Sequence, residues 1–390
     1  MAPDHPLAWA RRAELELALA RVTAGAESAR HALALAPDTP RAQAMAAFAR
    51  LLMGQVEAAI AEFEAALSLN GAEPLAHFGL GLAHVRQGDF VAGRREIEIA
   101  VLLDPSNAEL RSYLGRSYLA EKRDRLAGEQ FDLARRLDPA SPTPWYFDAF
   151  RKQQSRDFLA AIADGEQALA HNDRRAVLRS DELLDQDRAA RAASLGDAYR
   201  EVGWYGPMQT QAMDALEDDP QSVAAHRLLA DAYTGVPRFE TARLSELLQV
   251  QLRQPIGQMP LPPQFVMPAL PVFDGPRSIS PDEGSGFFVR QPWHFASSLL
   301  AGTQDTRAVS LVAAHAGEAA QISLGAFDYR RRALVDGQAD TRLSGLRLNG
   351  LLALSAQTML HAELRQSERQ SSDLTTSLFD QNVRHLRDDV

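Results

Sequence analysis

Cysteine is missing from all 390 residues. Without it there is no disulfide, no thiolate nucleophile and no cysteine-ligated zinc, and the absence suits either a reducing cytoplasm or a cell envelope in which free thiols are avoided. Long apolar runs are missing too: nothing approaches the roughly 18 consecutive apolar residues that would make a membrane helix. Basic residues are the minority, 41 Lys and Arg against 51 Asp and Glu for a net charge of -10. The excess of clustered Lys and Arg that draws a protein onto phosphate backbones is therefore lacking, and nucleic acid is not an expected partner. The opening MAPDHPLAWARR has no basic stretch leading into an apolar run and a small-residue cleavage site. No signal peptide is expected in the sequence as it stands. What is present in quantity is apolar side chain, 46% of residues, ample for packed domains.

The apolar residues recur with a long period. In LGRSYLAEKRDRLAGEQFDLARRLDP, Leu114, Gly115 and Tyr118 are followed by Ala127, Phe131, Ala134 and Pro139, which predicts two amphipathic helices around a polar turn. A shift of 34 residues toward the N-terminus finds Leu80, Gly81, His84, Gly93, Ile97, Ala100 and Pro105. Further shifts find Ala59, Phe63, Ala66 and Gly71, then Ala32 and Pro37, with Trp9 heading the first unit. Toward the C-terminus, Trp145, Ala149, Ala161 and Ala168 keep the phase. After an insertion over 174–188 it resumes at Leu195, Gly196, Tyr199, Gly203, Ala215 and Pro220, and a seventh unit carries Leu229, Ala230, Tyr233 and Ala242. Small residues at Gly81, Gly115, Ala100 and Ala134 allow close helix approach, while Tyr118 and Phe131 fill the space between helices. Pro105, Pro139 and Pro220 stop the second helix of their units.

This pattern resembles the tetratricopeptide repeat, with Trp, Leu-Gly and Tyr on the first helix, Ala and Phe on the second, and Pro at the exit. The resemblance covers residues 6–256 and implies an all-α solenoid of about seven helical hairpins whose function is to present a surface. The periodic columns are spent on the core, so a ligand must meet the exposed face of the first helices. Projection of that face gives Phe78, Arg86, Arg116, Tyr146, Phe150, Gln153, Asp197, Arg200, Arg227 and Asp231 as groove candidates, aromatic and Arg side chains being frequent interface anchors. Such a surface suits peptide tails, helices or sugars.

Beyond the repeats, residues 257–285 read as a proline-rich tether; eight prolines fall between Gln254 and Pro281. From 286 to 390 the apolar period becomes two. Leu346, Leu348, Leu352 and Leu354 alternate with Arg347, Asn349, Ala353 and Ser355. After a turn at Ala356, Leu360, Ala362 and Leu364 alternate with His361, Glu363 and Arg365. The runs WHFASSLLA, RAVSLVAAHAG and QISLGAFDYR alternate less cleanly, with turn signals at Gly317-Glu318 and Asp336-Gly337. The expected fold class is α+β: an all-α solenoid followed by an antiparallel meander of about five strands. The meander is read either as part of a membrane β-barrel or as a soluble sheet whose apolar face packs on the solenoid.

Together the two regions resemble bacterial envelope proteins in which a periplasmic tetratricopeptide solenoid precedes an outer-membrane β-barrel, an arrangement found among exopolysaccharide exporters. The stretches LLDQDRAARAASLGDAY, AAHRLLADAY and PRFETARLSELLQVQLRQP extend that likeness. It implies a protein or polysaccharide ligand in the groove, an outer-membrane contact, and a location in the periplasm or outer membrane if the gene carries a leader, in the cytoplasm otherwise. About five strands are too few to close a barrel of at least eight, and HLRDDV lacks a terminal aromatic residue, so the chain is expected to be a piece of a longer protein. For chemistry there is little. His361 and Glu363 share a strand face, and Asp181, Glu182, Asp185 and Asp187 cluster in the insertion, but metal sites need three or more convergent ligands. Ser280, Asp282 and the scattered histidines have no triad spacing. No metal, no cofactor and no catalysis are expected. The expected function is a non-catalytic scaffold, either in outer-membrane assembly or export or as a soluble cytoplasmic protein-interaction module.

Overall fold

A computed structural model describes residues 5–19, 21–175, 181–233, 237–253, 293–302, 306–316, 320–331, 340–355, 358–372 and 382–389. The described residues form fourteen α-helices and six strands. The helices are α1 Pro6–Ala18, α2 Val22–Leu35, α3 Pro40–Leu52, α4 Val56–Leu69, α5 Pro74–Gln87, α6 Phe90–Leu103 and α7 Ala108–Ala120. They continue with α8 Asp124–Leu137, α9 Thr143–Gln154, α10 Phe158–Ala170, α11 Asp181–Glu201, α12 Tyr205–Asp218, α13 Val223–Ala232 and α14 Glu240–Arg253. The strands are β1 Trp293–Gly302, β2 Thr306–Ala316, β3 Ala320–Arg331, β4 Asp340–Ser355, β5 Thr358–Ser372 and β6 Asn382–Asp389. They divide into two compact units, one holding α1–α13 and the other holding α14 and the strands. The tether expected over 257–285 lies outside the described residues, as do the turn signals at 317–318 and 336–337. The insertion is a 3-10 turn, Asn172–Arg175, followed after 176–180 by the early part of α11.

In the first unit the helices pair in sequence order, and five of the hairpins are closed by the same turn. The residue after the first helix takes a left-handed conformation at Gly54, Gly88, Lys122 and Arg156, positions 34 apart, and again at Gly203 beyond the insertion. Glycine adopts that conformation without strain; Lys122 and Arg156 adopt it at a cost. Where helices nearly touch, glycine is needed for space instead. A Cβ on Gly81 would come within 2.7 Å of the Gly93 carbonyl oxygen, and one on Gly115 within 2.5 Å of the Phe131 ring. The core within and between hairpins is an aromatic ladder. Phe48 meets Phe63 edge-on at 5.0 Å, Phe78 meets Tyr113 at 5.2 Å, and Tyr113 meets Phe147 at 5.6 Å, near-perpendicular pairings that suit the ring quadrupole. Phe131 is fully buried, as its column predicts. Tyr118 is not: it is half-buried, and its hydroxyl donates to Glu98 at 2.6 Å.

In the second unit the six strands form one antiparallel sheet in the order β1-β2-β3-β4-β5-β6. The leucine hairpin is found in the expected phase, Leu348 opposite Leu364 and Leu352 opposite Leu360, on strands of 16 and 15 residues. β6 adds a strand beyond the five expected. The sheet is open: no pairing joins β1 to β6 among the described residues.

Candidate functional site

All ten groove candidates fall on odd-numbered helices: Phe78 and Arg86 on α5, Arg116 on α7, Tyr146, Phe150 and Gln153 on α9, Asp197 and Arg200 on α11, Arg227 and Asp231 on α13. These helices form the inner layer. α1 meets α3, α3 meets α5, α7 meets α9, α9 meets α11 and α11 meets α13, whereas even-numbered helices pack chiefly on their sequence neighbours. First helices that touch while second helices splay apart make the first helices the concave side of the stack.

The candidates differ in what they offer a ligand. Tyr146 belongs to the core, 5% exposed, and Phe78 and Phe150 pack against that core as half-buried side chains. Arg116 is buried, with its guanidinium 5.1 Å from the Phe150 ring centroid. Arg86 donates from Nη1 to the Leu51 carbonyl at 3.0 Å and so covers the C-terminal end of α3. Gln153 donates from Nε2 to the Ser194 carbonyl at 3.2 Å and ties α9 to α11. Much of the candidate set thus joins one hairpin to the next. A helical projection cannot separate this role from ligand contact, because both fall on the same face.

The last four candidates are brought together. Arg200 reaches Asp231 at 2.9 Å across the α11–α13 seam and Asp197 at 2.9 Å on its own helix, and Arg227 lies with Nε 3.9 Å from Asp231. Burial pushes the Asp197 carboxyl above the ordinary carboxylate range, Asp231 adds to the rise, and Arg200 and Arg227 oppose it. Nη1 and Nη2 of Arg227 are enclosed with no hydrogen-bond partner among the described residues. Chemically the cluster can pair with charged or amide groups; it holds no nucleophile and base in contact.

A second ionic cluster, on α8, α9 and α10, was not singled out in the sequence. Asp148, 2% exposed at its side chain, accepts from Arg151 at 2.6 Å and Arg135 at 3.0 Å, and Lys152 bonds Asp164 at 2.5 Å. Burial opposes ionisation of Asp148, but Arg151, Lys152 and Arg135 together hold its carboxyl below the usual range. Burial pushes Asp164 up, against the pull of Lys152. The one legible signal was Asp148 three and four residues before Arg151 and Lys152. The partners from the neighbouring helices are set by packing.

On the sheet, the two faces are sorted. Leu324, Leu346, Leu348, Leu352, Leu354, Leu360 and Leu364 remain exposed, whereas Gln321, Ser323, Phe327, Tyr329 and Arg347 of the opposite face are buried. His361 bonds the Asn349 side chain at 2.8 Å through Nε2. The side chains of Glu363, Arg365, Asp181 and Glu182 lie outside the described residues, as do Ser280 and Asp282. Among the described residues no group of three or more His, Asp or Glu side chains converges on a common point, and no helix is long and apolar enough to cross a membrane.

Two repeat models match the chain, one described as TPR repeat over residues 49–88 and one as tetratricopeptide repeat over 82–142. No curated protein matches it. Among solved structures, 58% of the chain is similar to a chain of the APC/C hetero-tetramer Cut9-Hcn1, at 17% identity and TM-score 0.51. The match spans 42% of that chain. Pseudomonas aeruginosa pilF matches over 56% of this chain and 93% of its own, at 17% identity and TM-score 0.46. A tetratricopeptide repeat protein from Parabacteroides merdae matches over 64% and 93%, at 12% identity and TM-score 0.46. Residues 49–142 thus carry tetratricopeptide repeats, and the 34-residue turn spacing and the inner layer of first helices continue the same helical-hairpin stack on either side of them.

Proposed function

We propose that this protein is a non-catalytic scaffold that binds a protein or polymer on the inner face of its repeats while its amphipathic sheet holds it at a membrane, as the periplasmic part of an outer-membrane assembly or export apparatus. The observation that carries the membrane part is the sorting of the sheet, with leucines on the open face and Arg347, Gln321 and Ser323 on the enclosed one. A water-soluble sheet reverses this arrangement, whereas a lipid-facing sheet requires it. From Leu346 to Leu354 the stripe runs about 26 Å along β4, or about 20 Å of height at a tilt of about 40°, near the apolar band of membrane barrels. Connections support the same reading. Two residues join β4 to β5 and three join β2 to β3 at one end, while three, eight and nine residues join β1 to β2, β3 to β4 and β5 to β6 at the other. Short turns on one side and longer loops on the other are the habit of outer-membrane sheets, and β1 begins at the short-turn side, where a periplasmic domain would precede it.

The test is fractionation of cells that make the whole gene product, beside Leu348→Asp and Leu364→Asp. The wild type is expected in the outer-membrane fraction, and each Asp, placed mid-stripe, should lower that share. Recovery of the wild type wholly in the soluble fraction would overturn the membrane role and leave a soluble interaction scaffold.

A further inference from the structure

The apolar band on the open face of the sheet does not run level with the rows of paired residues. Leu311, Ala326, Leu346 and Gln366 stand opposite one another in one row across β2, β3, β4 and β5, so the row begins apolar and ends polar. Four residues further along β2, the row of His315, Ile322, Gly350 and Ala362 does the reverse. The borders of the band make the slant measurable. On one side the border falls between Val309 and Arg307 on β2. A level border would leave β5 between their row-mates Glu368 and Gln370, but it leaves between Leu364 and Gln366, four residues away. On β3 and β4 it is reached at Asp328 and Ser344, halfway. On the other side the border falls between Ala313 and His315 on β2 and between Leu360 and Thr358 on β5, again four residues from the level position. Both borders shift by the same amount, and the band is as wide on β5 as on β2.

Four residues are about 14 Å of strand and three strand spacings are about 14 Å of sheet, so the band crosses the strands at about 45°. An apolar layer with two flat, parallel surfaces sorts side chains by depth, and it draws oblique borders only on strands that cross it at a tilt. Strands that span a bilayer tilt by about 35–45°, close to the slope found here. β1 agrees with its neighbours. Carried to β1, the same slope puts mid-depth near Leu299, 79% exposed, and puts Trp293 at the surface beside His315, their rings 4.5 Å apart. Indole rings are favoured at that depth.

We propose that the open face meets lipid with its strands tilted about 45° from the bilayer normal. Mid-depth then passes from Leu311 on β2 to Ala362 on β5, with Gln366 at one surface of the apolar layer and His315 at the other. This rests on the membrane reading above and adds to it the level at which each strand sits.

The chain has no cysteine, so Leu311→Cys, Gln366→Cys, His315→Cys and Ala362→Cys can each carry one fluorophore on the intact chain, reconstituted from detergent into phosphatidylcholine vesicles. Lipids with a quencher at mid-chain or at the headgroup then read the depth of the label. The mid-chain quencher should act most at 311 and 362, and the labels at 366 and 315 should lie about 10 Å shallower, in opposite leaflets. A variant that fails to fold by circular dichroism is replaced by Leu346→Cys or Gly350→Cys, which share the two rows and should fall between the row ends in depth. Equal depth along each row overturns the tilt and leaves the membrane reading intact. Quenching by neither lipid at any position overturns both and assigns the face to a protein partner.

Discussion

Asp148 shows how a single carboxylate holds charge from three helices in place. It lies 2% exposed among Arg135, Arg151 and Lys152, with Asp164 sharing the last. Removal of its charge takes the carboxylate from Arg151 and weakens the hold on Arg135, which keeps Asp132, and on Lys152, which keeps Asp164; losing one partner of an enclosed cluster costs more than an exposed ion pair contributes. Asp148→Asn is expected to destabilise the solenoid by about 3 kcal/mol in urea denaturation. The sign with pH follows from the lowered carboxyl. Its contribution is complete above 3.8, its ordinary value, and is lost as pH falls through the lower folded-state value. The gap between wild type and Asp148→Asn should therefore narrow below pH 3.8. A gap that widens there would place the stabilising charge elsewhere. At the groove, Tyr146 and Arg116 show the opposite lesson: residue types that anchor interfaces here fill space between hairpins.

The helical hairpin is the repeated element, and its closing turn is where one unit differs from the next. Gly54, Gly88 and Gly203 take positive φ freely, while Lys122 at φ 59 and Arg156 at φ 63 hold the same conformation with a Cβ. A side chain in this region costs about 1 kcal/mol. Lys122→Gly should accordingly raise stability by up to about 1 kcal/mol, offset in part by the greater freedom glycine has when unfolded. Gly88→Ala should lower it by about 1 kcal/mol. No atom lies within 4 Å of a Cβ built on Gly88, so the loss would come from the backbone alone. Denaturation midpoints of the two variants moving in the same direction would sink this account of the turn. The sheet's element is the β4–β5 hairpin, in which a period of two fixes which leucines share a face and says nothing about what that face meets.

At the scale of the molecule, the first unit has its own core, from Ala13 through Phe63 and Leu110 to Ala168, made by contacts between neighbouring hairpins. Stability in such a stack is close to a sum of hairpin and seam contributions. A fragment of residues 5–232, α1 through α13, is expected to fold without the rest and to give a helical circular dichroism spectrum with a cooperative melt. A spectrum dominated by strand or disorder would show that the solenoid needs the second unit. The leucine face of the sheet is the counterpart: an apolar surface of this extent in water calls for an occupant.

The sequence alone determined the period, and with it the helical hairpins, the columns of small residues and the helices that form the inner layer. It also determined the phase of β4 and β5. These are local properties, set by steric limits on turns and by the alternation of apolar side chains, and they survive without knowledge of the neighbours. Only the tertiary structure decided that Tyr118 is half-buried and bonded to Glu98, that Arg135 and Asp164 converge on Asp148, and that the leucine stripe is the open face while Arg347 is enclosed. Each depends on which surfaces meet across hairpins or across strands, and residues far apart in the chain leave no common period to mark that meeting.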